Sequence, residues 1–188
     1  MPNDNTDTLA LLQTRNSHAR LAEPGPSREE IEAMVAAGMR APDHGLLRPW
    51  RFVAIEGEAR TRFANVLVES NKLLDITDET KLQKAEKAPL RAPLILAVLL
   101  AYQDHSKIDR NEQIGSAAAA AYAVSLAANA LGYGTMWRTG AYAMDPHVIG
   151  ALGGKESDEV IGFIYVGTRE GPEKPLPELN QSDFLSFF

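Results

Sequence analysis

Residues 94–100 have the sequence LILAVLL, and this run of seven apolar residues decides the fold class. It indicates a strand that is covered on both faces, because a half-exposed strand would alternate apolar and polar residues. Residues 111–131 predict the longest helix, with five consecutive alanines at 117–121 and Gly132 as its stop. Because alanine lets another backbone approach closely, we expect this helix in the centre of the core or against a second subunit.

Further strands and helices are predicted on both sides of this pair. Aromatic and β-branched runs predict three more strands, at 50–55, 133–139 and 160–166. Periodicity and capping signals predict five more helices, at 7–14, 27–40, 58–74, 78–88 and 145–153. Ser27 and Glu30 form a capping box at the start of one helix, and residues 15–26 are predicted as a loop.

The length and the C-terminal segment bear on organisation. We expect 188 residues to form a single domain that spans 1–188 and buries its own core. Residues 168–188 form an extended arm, which holds three prolines within 171–181 and ends in Phe184, Leu185, Phe187 and Phe188. Such an arm indicates packing on a second subunit, with packing on its own domain as the alternative.

Composition excludes several classes of protein. The chain has no Cys, which excludes thiol nucleophiles, disulfides and Cys metal sites, and its four His show no metal-binding spacing. The net charge of −6 argues against nucleic acid and anionic membranes as partners. No apolar run reaches the roughly 18 residues of a membrane span. The N-terminus lacks the features of a signal peptide, so a cytoplasmic location is expected.

Two common nucleotide-binding motifs are not matched. There is no GxxxxGK[ST] loop. Gly132 and Gly134 begin a GxGxxG pattern, but Trp137 stands at the third glycine and a helix, not a strand, precedes it. A Rossmann dinucleotide site is therefore not predicted.

Arginine is concentrated in the first third of the chain. All eight basic residues between positions 15 and 62 are Arg, and the first Lys is Lys72. The planar guanidinium suits two-pronged recognition of phosphate or carboxylate. A solvated basic face explains the same composition equally well.

Three short segments carry the candidate ligand contacts: RNSHAR at 15–20, RAPDH at 40–44 and WRTG at 137–140. The first combines Arg, a hydroxyl and free backbone N–H groups, which suit a phosphate, although an ordinary helix end with solvated Arg has the same residues. The second places an Arg and a His on a Pro-stiffened loop. The third could edge a flat heteroaromatic ring at the end of a strand.

In this order, the segments resemble the nitroreductase family of flavoenzymes, within a branch of small members. The resemblance covers the chain from about residue 7 to the terminal phenylalanines. It rests on the order and spacing of motifs that are individually unspecific: RNS at 15–17, RLAEP at 20–24, GMRAPDH at 38–44, PW at 49–50, RAPL at 91–94, the Ala-rich helix, WR at 137–138 and GFIYVGT at 162–168.

The family resemblance implies an α+β fold with a central, mostly antiparallel sheet of four to five strands flanked by helices. It also implies a homodimer that exchanges its C-terminal arms and binds FMN in two sites at the subunit interface. Arg15, Asn16 and Ser17 would hold the phosphate and ribityl end of FMN. Arg40 and His44 would reach the flavin of the neighbouring subunit, and Trp137, Arg138 and Thr139 would line the flavin. Arg169 is a further candidate for the phosphate.

The sequence departs from larger members of the family at three positions. Leu46 and Arg48 stand where many members have Asn and Gln, and Ala19 stands where many have a basic residue. These changes bear on contacts to the flavin ring, and hence on its redox potential and substrate choice, more than on the phosphate contacts.

The activity implied by the resemblance is a ping-pong reaction, in which NAD(P)H reduces FMN and the reduced flavin passes two electrons to a nitroaromatic, quinone or related small acceptor. No catalytic side chain is needed for this, because flavin N5 carries the chemistry. Two alternatives stay open: a flavin-binding carrier or sensor without turnover, and a structural or regulatory dimer without a cofactor.

Overall fold

The computed structural model describes residues 5–172 and 174–188 of the chain. Its helices and strands follow in the order α1 (Asn5–Thr14), β1 (Leu21–Ala22), α2 (Arg28–Gly38), β2 (Trp50–Glu56), α3 (Glu58–Leu73), α4 (Glu79–Lys87), β3 (Leu94–Leu100), α5 (Arg110–Ala130), β4 (Gly134–Arg138), α6 (Pro146–Ala151) and β5 (Glu159–Arg169). The six helices and four strands expected from the sequence are all present, with bounds that differ by three residues or fewer.

All strand pairings in the described sheet are antiparallel. The central strand β3 lies between β2 and β5, so that Ala97 pairs with Val53 on one side and with Phe163 on the other. The opposite edge of β5 pairs with β4, from Gly134 to Arg138. The predicted α+β class, with a mostly antiparallel sheet flanked by helices, is confirmed.

A fifth strand lies where the sequence predicted only a loop. In β1, Leu21 pairs with Arg169 and Ala22 pairs with Thr168, at the very end of β5. The prediction for residues 15–26 was therefore wrong at these two positions. Two residues are too few to show a periodicity, and they form a strand only because β5 runs past β4 and offers them free backbone groups.

Side chains of β3 divide the core into two halves. Ile95, Ala97 and Leu99 point to the half that is covered by α3 and α6, and the alternate residues of β3 point to the half covered by α2 and α5. All seven residues of β3 are buried. In α5, the buried apolar positions are Ala117, Ala120, Ala121, Val124 and Ala128. The expectation that this helix lies in the core is confirmed.

The capping box predicted at Ser27 is present, and the structure shows a second one at the start of α5. The Ser27 hydroxyl accepts a hydrogen bond from the N–H of Glu30, and the Glu30 carboxylate accepts one from the N–H of Ser27 at 2.7 Å. Asp109 and Glu112 form a second capping box at the start of α5. None of the helices in the described ranges combines the length and the apolar character needed to cross a bilayer.

After β5 the C-terminal arm passes the end of α1, where the carbonyl of Lys174 accepts a hydrogen bond from the side chain of Asn16. Residues 174–188 are all exposed, and the side chains of Phe184 and Phe187 are 78% and 91% exposed. Large apolar side chains are costly to keep in water, at about 25 cal/mol per Å². The arm therefore presents an apolar tip that the described residues of the same chain leave exposed.

Candidate functional site

A cleft of about 330 Å³ opens beside the start of β4 and collects basic side chains from distant parts of the chain. We call it the basic cleft; it is lined by Leu11, Thr14, Arg15, Asn16, His18, Asn129, Arg169, Lys174 and Leu176. Three of these residues carry a permanent positive charge, and none of the described lining residues is acidic. In a protein with a net charge of −6, such a cluster marks a site for an anion.

The first segment of the basic cleft is held by backbone and side-chain hydrogen bonds. Asn16 lies just after α1, and its amide nitrogen donates to the carbonyl of Lys174 at 2.9 Å. Its side-chain oxygen accepts from the N–H of Ser17, and the N–H of His18 donates to the carbonyl of Thr135 in β4 at 2.8 Å. These bonds fix Arg15 and Asn16 between β4 and the start of the arm.

Arg169 enters the cleft from the last residue of β5. Its guanidinium donates two hydrogen bonds to the carbonyl of Tyr133, at 3.3 and 3.4 Å. This approach requires glycine at position 134, because a Cβ there would lie 2.9 Å from Arg169 Cγ and 3.1 Å from His18 Cβ. The absence of a side chain at Gly134 therefore lets Arg169 and His18 come together over the start of β4.

A buried polar group forms the wall of the cleft toward α5. Asn129 donates to the carbonyl of Tyr133 at 3.2 Å and to the hydroxyl of Thr135 at 3.3 Å. The hydroxyls of Thr135 and Ser125 lie 2.7 Å apart. Because these groups satisfy one another, they hold the backbone of β4 in place.

A second, larger opening lies at the other end of β4. This cavity of about 370 Å³, which we call the aromatic cavity, lies between β4, α3, α4 and the turn after β4. Its aromatic walls are Phe63, Tyr142, Phe163 and Tyr165, and its basic residues are Lys81, Lys84, Arg91 and Arg138. Thr139 also lines it.

The three residues of the WRT segment do not share one environment. The Trp137 ring packs over Gly162 on the α5 side of the sheet and donates to the carbonyl of Ile161 at 3.3 Å. The guanidinium of Arg138 points to the opposite side and lies 5.4 Å from the centre of the Tyr165 ring. Adjacent residues of a strand point to opposite faces, so a single cavity cannot receive both side chains.

Arg40 and His44 line neither of the two openings. Arg40 follows the end of α2 and is exposed. His44 opens a short turn, and its Nδ1 lies 2.6 Å from the carboxylate of Glu112 at the start of α5. The role that the resemblance gives these two residues, contact with the flavin of a neighbouring subunit, stays a prediction.

Several residues of the basic cleft were not found by sequence reasoning. Lys174 lies in the proline-rich arm, where no periodicity or motif marks it, and Asn129 lies inside a helix that reads as core. Arg169 was a candidate only through the resemblance. Ser17, predicted for the phosphate, is half-buried beside the cleft but does not line it. Within the described ranges no group of three His, Asp or Glu residues could hold a metal ion.

The carboxylate of Glu30 holds Tyr133, whose carbonyl accepts the hydrogen bonds of Arg169 and Asn129 at the basic cleft. The Glu30 carboxylate accepts a hydrogen bond from the hydroxyl of Tyr133 at 2.8 Å. Its hydrogen bonds with the backbone of Ser27 and with Tyr133 hold the pKa of Glu30 below its ordinary value. The same bond with Glu30 is the main cause that raises the pKa of Tyr133.

Fold and site together define a class: an α+β protein with a cleft lined by basic side chains at one end of an edge strand. Comparison with known proteins adds the family. The family model described as "Nitroreductase family" matches residues 13–168. The chain belongs to the nitroreductase family.

Curated relatives cover almost the whole chain. The Escherichia coli (strain K12) protein named "Putative NAD(P)H nitroreductase YdjA" is 45% identical over 185 residues, which cover 97% of this chain and all of that protein. A Haemophilus influenzae protein that is likewise named as an NAD(P)H nitroreductase is 34% identical, over 96% of this chain and 99% of that one.

Solved structures share the fold at low sequence identity. A nitroreductase-like family protein from Bacillus cereus has a TM-score of 0.82 at 17% identity, over 96% of this chain and 95% of that one. A Bacteroides fragilis nitroreductase whose structure holds bound FMN has a TM-score of 0.74 at 18% identity, over 97% of this chain and 98% of that one. These neighbours confirm the nitroreductase-like fold.

Proposed function

We propose that the protein is an FMN-dependent NAD(P)H oxidoreductase of the nitroreductase type, which binds the phosphate end of FMN in the basic cleft. The observation that carries this proposal is the set of cations Arg15, Arg169 and Lys174 around a cleft that has no acidic residue among the described residues of its lining. Family membership and the FMN-bound neighbour support the choice of FMN among possible anions.

The residues present fit a phosphate dianion. Arg15 and Arg169 can offer planar, charge-assisted hydrogen bonds to phosphate oxygens, and Lys174 adds a third charge. Each such bond stabilises binding by about 1.5–3 kcal/mol. The amide of Asn16 would contact the ribityl chain.

The strand β4 connects the basic cleft with the predicted flavin-contacting residues. Gly134 lies at the cleft and Arg138 at the other end of the strand, about 14 Å away at roughly 3.4 Å per residue. When bound, FMN supplies hydride and two-electron chemistry between NAD(P)H and a nitroaromatic, quinone or related small acceptor. At this end of β4, the guanidinium of Arg138 would stabilise the negative charge of the reduced flavin ring electrostatically.

The exposed arm supports a homodimer as part of the proposal. Phe184, Leu185 and Phe187 present apolar surface that a second chain would cover. In such a dimer Arg40 and His44 of one subunit would complete the flavin site of the other, as the family resemblance implies.

The cleft predicts that FMN binds more tightly than riboflavin, which lacks the phosphate. Dissociation constants measured by quenching of flavin fluorescence should favour FMN strongly in the wild type. The Arg15→Ala and Arg169→Ala variants should each lose about tenfold or more in FMN affinity, with little change for riboflavin. Arg28→Ala is the matched control, because its side chain is 86% exposed on α2 and outside the cleft.

A hundredfold excess of FMN over its dissociation constant should also raise the stability of the wild type by about 2.7 kcal/mol, and less in Arg15→Ala. Equal affinities for FMN and riboflavin would refute the basic cleft as the phosphate site. Absence of a flavin spectrum after reconstitution would favour a structural dimer. A bound flavin that anaerobic NADH and NADPH both fail to bleach would favour the carrier or sensor.

A further inference from the structure

The aromatic cavity combines apolar walls with an excess of positive charge. Phe63, Phe163 and Tyr165 line its apolar side, where the rings of Phe63 and Phe163 pack on each other with their centres 5.7 Å apart. The basic residues come from three different elements: Lys81 and Lys84 from α4, Arg91 from the turn before β3, and Arg138 from β4. A cavity of this composition suits a flat ligand with a negative charge.

The acid that lines the cavity does not balance this charge. Asp145 directs one carboxylate oxygen to the N–H of His147 at 2.8 Å and of Val148 at 3.3 Å, where it caps α6. Its other oxygen accepts a hydrogen bond from the hydroxyl of Ser70 at 2.5 Å. The carboxylate is therefore bound on the side of α3 and α6, and makes no ion pair with Arg91 or Arg138 in the described structure.

Tyr165 does not supply a negative charge either. Burial raises the pKa of its hydroxyl, and the nearby charges of Arg138 and Arg91 oppose this only in part, so the phenol is neutral at pH 7. The Nε of Arg138 is buried and has no hydrogen-bond partner within the described part of the chain. A buried guanidinium N–H without an acceptor is costly, and a ligand oxygen would satisfy it.

We propose that the aromatic cavity binds an aromatic monocarboxylate, with its ring against the aromatic side of the cavity and its carboxylate near Arg91 and Arg138. Resting on the proposed function, this makes anionic nitroaromatics the preferred acceptors. The first reduction then consumes one nitroarene, one NAD(P)H and one proton from solvent, and gives the nitroso compound, NAD(P)⁺ and water. The hydride supplies the two electrons, and the departing nitro oxygen takes both hydrogens.

The direct test is calorimetric titration of the FMN-saturated and the FMN-free protein with 4-nitrobenzoate and with its neutral analogue, 4-nitrobenzamide. The carboxylate should bind at least about tenfold more tightly in both forms, and Arg91→Gln should remove most of that preference. Lys84→Gln, at an exposed position, should weaken the binding of 4-nitrobenzoate to a smaller extent. Arg28→Gln is the matched control and should bind both compounds like the wild type.

Equal affinity for the two compounds, or an unchanged preference in Arg91→Gln, would overturn the inference. Displacement of 4-nitrobenzoate by FMN would also overturn it, because the cavity would then belong to the flavin. In turnover, the ratio of KM for 4-nitrobenzamide to KM for 4-nitrobenzoate should fall in Arg91→Gln. The titration of the FMN-free protein tests the cavity even if FMN fails to bind, so the two proposals can fail separately.

Discussion

The packing of Trp137 against Gly162 predicts a large loss of stability for a very small substitution. A Cβ at position 162 would lie 2.3 Å from Trp137 Nε1 and 2.7 Å from Cε2, well inside contact distance. Gly162 lies within β5 and pairs with Val98 of β3 beside a β-bulge, and the three atoms nearest to a Cβ there all belong to the Trp137 ring. In Gly162→Ala the indole must therefore move.

The size of the effect can be worked out from three contributions. Overpacking in a well-packed core costs about 1–3 kcal/mol, and this contact belongs at the upper end. Loss of the hydrogen bond from Trp137 to the Ile161 carbonyl costs about 1 kcal/mol. Because alanine lowers the entropy of the unfolded chain relative to glycine, the substitution also stabilises the fold by about 0.5–1 kcal/mol. The sum is a loss of roughly 3 kcal/mol, or roughly 6–12 °C in Tm for a domain of this size.

Urea unfolding followed by circular dichroism would measure this loss, and tryptophan emission would report the displaced ring. Gly150→Ala is the control, because nothing lies within 4 Å of a Cβ there and alanine favours helix α6. If the indole is the obstacle, Gly162→Ala should cost far less in a Trp137→Leu background. A Gly162→Ala variant within about 0.5 kcal/mol of the wild type, or additive effects in that double variant, would refute the reasoning.

Two further predictions concern the frame of the site and the arm. The pKa of Glu30 lies below its ordinary 4.5, so its charge stabilises the fold above pH 4.5, and this contribution is lost as the pH falls through the lowered pKa. The Tm of Glu30→Gln should therefore lie below that of the wild type at pH 7, and the difference in Tm should shrink in acid. A difference in Tm that does not depend on pH would contradict the assignment. Deletion of residues 182–188, which removes the apolar tip but leaves Lys174 in place, should shift the protein from dimer toward monomer in sedimentation velocity, whereas an unchanged dimer would show that the arm tip is dispensable for association.

The sequence by itself determined most of the elements. The run 94–100 is apolar at every position and has the length of a strand, so it indicated a strand covered on both sides, and the alanine-rich helix was expected to pack closely. Capping boxes at Ser27 and Asp109 depend on local spacing alone, although only the one at Ser27 was predicted. The Arg segment at 15–17 suited an anion, but an ordinary helix end with solvated Arg has the same residues.

Only the tertiary structure decided which of these residues meet. Lys174 joins Arg15 because the arm turns back along α1, and no local pattern records a contact between residues so far apart in the chain. The pairing of β4 with β5 sends Arg138 into the aromatic cavity and Trp137 against Gly162 on the other face, although the two are adjacent in sequence. Local periodicity fixes alternation along a strand, but the neighbours on each face are set by strand pairing, which depends on long-range contacts.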